Sequence, residues 1–132
     1  MDTINWMELL GWTEEQLEDL RNVGFAYVRQ GKYDIAFPLF EALCVLNPNS
    51  AYDVQTLGAL YMEMGNPNKA LVYFDKALKL DDADQEAILL NLSKTFFMLG
   101  KQHEGVTLAN ILKEERNPYI SNMAKALLLA YS

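Results

Sequence analysis

Apolar and small residues recur along this chain with a long period laid over a short one. The short period is helical: near the end, Ile120, Met123, Ala124, Leu127 and Tyr131 fall at the spacing of one helix face. The long period is wider. Gly24 and Gly58, Tyr27 and Tyr61, Ala36 and Ala70, and Phe40 and Phe74 are each 34 residues apart. Gly31, Gly65 and Gly100 follow at intervals of 34 and 35, and a third unit, one residue longer, puts Ser93, Phe96, Gly105 and Ala109 in the same places. A period near 34 residues is that of a helix–turn–helix repeat.

Each residue type has a reason to recur. Small residues at Gly24, Gly58 and Ser93, and at Ala36, Ala70 and Gly105, let paired helices approach closely, while Tyr27, Tyr61 and Phe96 fill the space beside them. Gly31, Gly65 and Gly100 can take the left-handed conformation that ends a helix. Between units, Asn47-Pro48-Asn49-Ser50 and Asp81-Asp82-Ala83-Asp84 supply stop and N-cap chemistry. The spacing therefore predicts one domain over residues 1–132, with repeats at about 17–50, 51–85 and 86–118, each a helix A followed by a helix B.

Two segments flank the repeats. Residues 3–12 gather Ile4, Trp6, Met7, Leu9, Leu10 and Trp12, and Thr13 with Gln16 then reads as a capping box opening the next helix. Asn117-Pro118 is an N-cap and N1 pair ahead of a helix over 119–131, which would cover the last open face of the array. Seven or eight helices and no strand are expected.

Composition narrows the function classes. Hydrophobic residues make up 51% and charged residues 22%, which is enough apolar material for a core. The net charge of −7 argues against binding nucleic acid, which needs clustered Lys and Arg. The acidity is uneven: Asp2, Glu8, Glu14, Glu15, Glu18 and Asp19 all precede the first basic residue, Arg21. Every apolar run stops well short of the ~20 residues a spanning helix needs, so neither membrane insertion nor a cleaved export signal is expected. A single cysteine, Cys44, permits no internal disulfide and suits a reducing cytoplasm.

Candidate chemistry is sparse. Cys44 lies in an apolar helix with no base near it in sequence, which favours packing over a nucleophilic role. His103 is the only histidine, placed after Gly100 where a solvated loop is expected. Asp81, Asp82, Asp84 and Glu86 lack the glycine and the distal glutamate of a calcium loop, so turn and helix N-terminus electrostatics account for them. The glycines form no phosphate cradle. Neither an enzyme nor a cofactor or metal site is expected.

The small, aromatic, alanine and phenylalanine positions resemble the tetratricopeptide signature, which implies an all-α superhelix whose A helices line a concave, peptide-binding face. By that resemblance, the face carries Arg21, Phe25, Val28 and Arg29 with Glu18 from repeat one. Tyr52, Gln55, Ala59 and Met62 come with Glu63 from repeat two, and Leu90, Lys94, Phe97 and Met98 with Ala87 from repeat three. Phe25 stands where the tetratricopeptide carboxylate clamp has asparagine, which disfavours a heat-shock co-chaperone. The run from Gly31 to Gly58, GKYDIAFPLFEALCVLNPNSAYDVQTLG, is similar to the class II chaperones of bacterial type III secretion. That resemblance implies a cytoplasmic chaperone that holds a translocator in its groove and keeps it export-competent, as a homodimer or with a co-chaperone. A needle-subunit chaperone is the near alternative. A tetratricopeptide scaffold joining proteins outside secretion is the alternative from another class.

Overall fold

The structure is a computed structural model that describes residues 5–131; Asp2 and Ile4 lie outside the described residues. Among the described residues eight helices follow one another: α1 (Trp6–Leu10), α2 (Glu14–Arg29), α3 (Tyr33–Leu46), α4 (Ala51–Glu63), α5 (Pro67–Leu78), α6 (Gln85–Met98), α7 (Gln102–Leu112) and α8 (Pro118–Tyr131). The described residues contain no strand. None of the helices is long and apolar enough to cross a membrane.

Local chemistry sets the helix ends. Thr13 and Gln16 form the capping box of α2, Ser50 and Asp84 cap α4 and α6, and Asn117 accepts the Tyr119 N–H at the start of α8. Asn66-Pro67 opens α5 with the same dipeptide that opens α8. Between A and B helices the chain turns on Gly31, Gly65 and Gly100, all at positive φ. The following N–H in each case reaches back to the repeated aromatic: Lys32 to Tyr27 at 2.9 Å, Asn66 to Tyr61 at 2.8 Å and Lys101 to Phe96 at 2.8 Å. This bond closes a Schellman turn, so the aromatic and glycine positions share a period because they share a motif.

Packing within a repeat rests on a phenyl ring against a bare backbone. A Cβ at Gly24 would stand 2.7 Å from the Phe40 ring, and one at Gly58 would stand 2.8 Å from the Phe74 ring. Both rings are fully buried. Repeat three inverts the arrangement. Its small residue is Gly105 on α7, its ring is Phe97 on α6, and Ala109 occupies the place of Phe40 and Phe74. Ser93 fills the remaining gap by donating to the Gly105 carbonyl at 2.8 Å.

Repeats join mainly where the B helix of one packs on the A helix of the next, α3 on α4 and α5 on α6, with α7 on the closing α8. α4 touches α6 and α6 touches α8, whereas the B helices α3, α5 and α7 do not touch one another. Contact on the A side and separation on the B side curve the array, with the A helices inside. The seam between repeats one and two holds a buried ion pair. Arg21 Nε and Nη2 donate to the two carboxylate oxygens of Asp53 at 2.7 and 2.6 Å, and Nη1 meets Glu18 at 2.5 Å. Asp53 is fully buried and the Arg21 side chain is 14% exposed. Hydrogen bonding to Asp53 raises the guanidinium pKa, so Arg21 stays charged throughout.

Two outcomes test this packing by chemical denaturation. Gly58→Ala gains helix propensity yet should lower stability by about 1–3 kcal/mol, because the added methyl forces the Phe74 ring to move. Combined with Phe74→Leu it should cost less than the two single changes together. Arg21→Met leaves Asp53 buried and unpaired and should cost about 3–5 kcal/mol, whereas Arg21→Met with Asp53→Leu should recover most of the loss. Additive behaviour in either cycle would rule out the coupling.

Candidate functional site

The residues predicted for a client-binding face lie on α2, α4 and α6 and differ in exposure. Phe25, Val28, Gln55, Ala59, Met62 and Lys94 are half-buried side by side, Tyr52 and Met98 are exposed, and Arg29 is exposed at the end of α2. Phe25 and Tyr52 bridge repeats one and two with ring centroids 5.3 Å apart, and Phe25 also meets Phe40 edge-on at 5.7 Å. Half-buried or exposed aromatic, methyl and thioether groups thus recur on successive A helices. Methionine suits such a face because its flexible, polarizable chain adapts to varied shapes.

Leu90 and Phe97 are placed differently. Both are buried: Leu90 shares a cluster with Ala109, Leu112, Ile120 and Ala124, and Phe97 stacks on Tyr131 at 4.5 Å and 7°. The reason lies in the seam. Residues equivalent to Arg21 and to Val28 in each repeat border the next A helix, and what that helix offers decides their exposure. Arg21 meets Asp53 of α4, Met62 meets the Thr95 hydroxyl of α6 at 2.9 Å, and Phe97 meets Tyr131 of α8. α8 is held there by further bonds, from Gln102 Nε2 to the Tyr131 carbonyl at 2.6 Å and from the Ser121 hydroxyl to the Lys113 carbonyl at 2.7 Å. A ligand reaches Leu90 or Phe97 only if α8 moves.

At the other end, repeat one opens into a cavity of about 480 Å³ lined by Glu14, Glu18, Arg21, Phe25, Tyr52 and Asp82, with Asn22 and the α3–α4 loop on its rim. Sequence reasoning missed Glu14, Asn22, Asp53 and Asp82 as neighbours of this surface. Glu14 could have been found, since it stands one turn before Glu18 on the same helix face. Asp82 could not, because only the fold brings the α5–α6 loop alongside α4, where its carboxylate accepts the Ala51 N–H at 3.0 Å.

The remaining titratable groups do structural work. Cys44 is half-buried between the first and second core clusters, and burial pushes its thiol up to about 12, far from a nucleophilic thiolate at neutral pH. His103 lies in the first turn of α7 rather than in the loop the sequence suggested, with its side chain exposed. The helix starts there because Gly100 alone completes the turn. Burial, with the Asp53 charge adding to it, raises the Tyr52 phenol. Glu86 is raised by the neighbouring carboxyl of Glu115.

Residues 56–84, the body of repeat two, match the tetratricopeptide repeat model. Anaphase-promoting complex subunit 3 of Schizosaccharomyces pombe is 32% identical over 60 residues, which are 46% of this chain and 9% of that protein. The chain thus spans about a tenth of the length of that relative. Among solved structures, the type III secretion translocator chaperone SycD of Yersinia enterocolitica superposes with a TM-score of 0.79 at 20% identity, covering 98% of both chains. PcrH from Pseudomonas aeruginosa superposes at 0.77 and 23% identity over 90% of this chain and 93% of PcrH. PcrH in complex with the chaperone binding region of PopD superposes at 0.78 and 24%, over 92% of this chain and 94% of the other. At these identities the likenesses establish the fold: the chain is an all-α array of tetratricopeptide repeats along its described length.

Proposed function

We propose that this chain is a chaperone of a bacterial type III secretion system, which holds a translocator-type client on the inner face of its A helices and keeps it export-competent in the cytoplasm. The observation that carries the reading is the recurrence of apolar groups on successive A helices, from Phe25 and Tyr52 through Ala59 and Met62 to Met98, on a fold superposing from end to end on translocator chaperones. Two of the similar structures hold the corresponding ligands, PcrH with a region of PopD and SycD with a peptide of YopD. Binding without catalysis fits a chain whose single thiol, Cys44, packs between core clusters and is held protonated.

In this reading the whole chain acts as one unit. Phe25, Val28, Tyr52, Gln55, Ala59, Met62, Lys94 and Met98 touch the client, Arg21 and Arg29 flank it, and Leu90 and Phe97 support the surface from beneath α8. A second copy or a co-chaperone would add at α1, whose Leu9 and Leu10 are 67% and 56% exposed.

Isolating the chain from its native cell and identifying bound polypeptides by mass should recover a secreted translocator. Ala59→Glu with Met98→Glu, which places carboxylates at a half-buried and an exposed position of the face, should weaken that complex at least about tenfold in a variant shown to be folded. A client retained undiminished by the folded variant would refute the groove. A partner unrelated to secretion would favour a general adaptor.

A further inference from the structure

The groove is not uniform, and its open end beside repeat one has a chemistry of its own. We infer that this mouth takes a lysine or arginine side chain of the client, so that the bound segment is an apolar stretch with a basic residue at one fixed position. The inference rests on the groove reading and adds the class of residue recognised.

Charge complementarity carries it. Glu14, Glu18, Asp53 and Asp82 surround Arg21, the one cation lining the cavity. Arg21 is already committed: Nε and Nη2 donate to Asp53, a fully buried carboxylate, and Nη1 donates to Glu18. The carboxylates still outnumber the cation around a cavity of about 480 Å³: Glu14 is exposed, the Glu18 side chain is 61% exposed despite its ion pair with Arg21, and Asp82 is exposed although it accepts the Ala51 N–H. An acidic residue entering there would meet like charges, and an apolar one would strip water from carboxylates without replacing it.

The wall favours the same occupant. The tilted Phe25–Tyr52 pair forms one side of the cavity, and Tyr52 is 46% exposed. Aromatic faces attract an ammonium or guanidinium group and pack well against the methylene stem behind it. Volume suits a long side chain rather than a folded domain.

Continuity with the apolar face fixes the register. Phe25 and Tyr52 belong to both surfaces, and Tyr52 lies seven residues before Ala59 on α4. At about 1.5 Å per residue the two are about 10 Å apart along the helix, which an extended peptide covers in about three residues. The basic residue should therefore sit about three positions from the apolar residue that reaches Ala59.

Panning a displayed library of random dodecapeptides on the full chain tests this. Recovered peptides should share an apolar core with Lys or Arg at that offset. A synthetic copy of a lysine-containing winner with norleucine in place of lysine should bind about tenfold more weakly, and the loss should vanish on a Glu14→Gln, Glu18→Gln, Asp82→Asn chain. Asp82→Asn keeps the oxygen that accepts the Ala51 N–H; should that chain fail to fold, the norleucine peptide on the unaltered protein decides alone. Peptides that bind equally with norleucine, yet are lost on the Ala59→Glu, Met98→Glu chain, would overturn the cationic subsite and leave the groove standing. Peptides indifferent to Ala59→Glu and Met98→Glu, or no recovery at all, would overturn both.

Discussion

A phenyl ring resting on a bare Cα sets the distance between the helices of each repeat, and the remaining geometry follows from that distance. With Phe40 against Gly24 and Phe74 against Gly58, the A and B helices of repeats one and two lie too close to admit even a methyl group between ring and backbone. With A paired closely on B, α4 meets α6 and α6 meets α8, while the B helices stay apart. The inner face is thus shaped by small residues on the opposite side of the helices that line it. Repeat three keeps the distance but exchanges the partners, using Gly105 and Phe97, so the array tolerates inversion of knob and hole so long as one side of the contact has no side chain.

That inversion explains how far the sequence could be read. The period of glycines and aromatics was legible because every repeat closes its A–B turn with the same Schellman bond and fills the same gap. Helix ends were legible wherever a capping residue precedes an apolar run, as at Thr13, Ser50, Asp84 and Asn117. Leu90 and Phe97 were misplaced onto open surface because a periodic reading assigns each position one environment. Exposure at those positions belongs to the seam, and the seam depends on what α8 brings: Ile120, Ala124 and Tyr131 rather than a charge. Local pattern fixes the helix; only the neighbouring helix decides which of its edges sees water.

The Arg21–Asp53 pair shows the same limit for charge. In sequence Arg21 is the first basic residue after an acidic flank, and nothing marks Asp53, 32 residues on, as its partner. Folded, they become a two-pronged clasp across the seam, worth having because each satisfies the other and expensive if either stands alone. Its electrostatic effect is to commit the cation lining the mouth to carboxylates of this chain, so that the mouth keeps a net negative charge. A strongly acidic chain thereby concentrates negative potential beside Phe25 and Tyr52, while the charge farther along the face, Lys94, is positive.

α8 completes the asymmetry. By stacking Tyr131 on Phe97 and burying Leu90, it closes the far end of the inner face, so open apolar surface lies mainly on repeats one and two with Lys94 and Met98 as its margin. A short surface needs only a short segment to be ordered, and ordering is a principal cost of capturing an extended chain. A holder that must later let go gains from this limit: modest buried area keeps dissociation accessible, while a charged contact at one end supplies register that apolar surface alone would leave free to slide. In the proposed reading, the closed end, the apolar middle and the acidic mouth would together fix where a short segment binds without fixing it permanently.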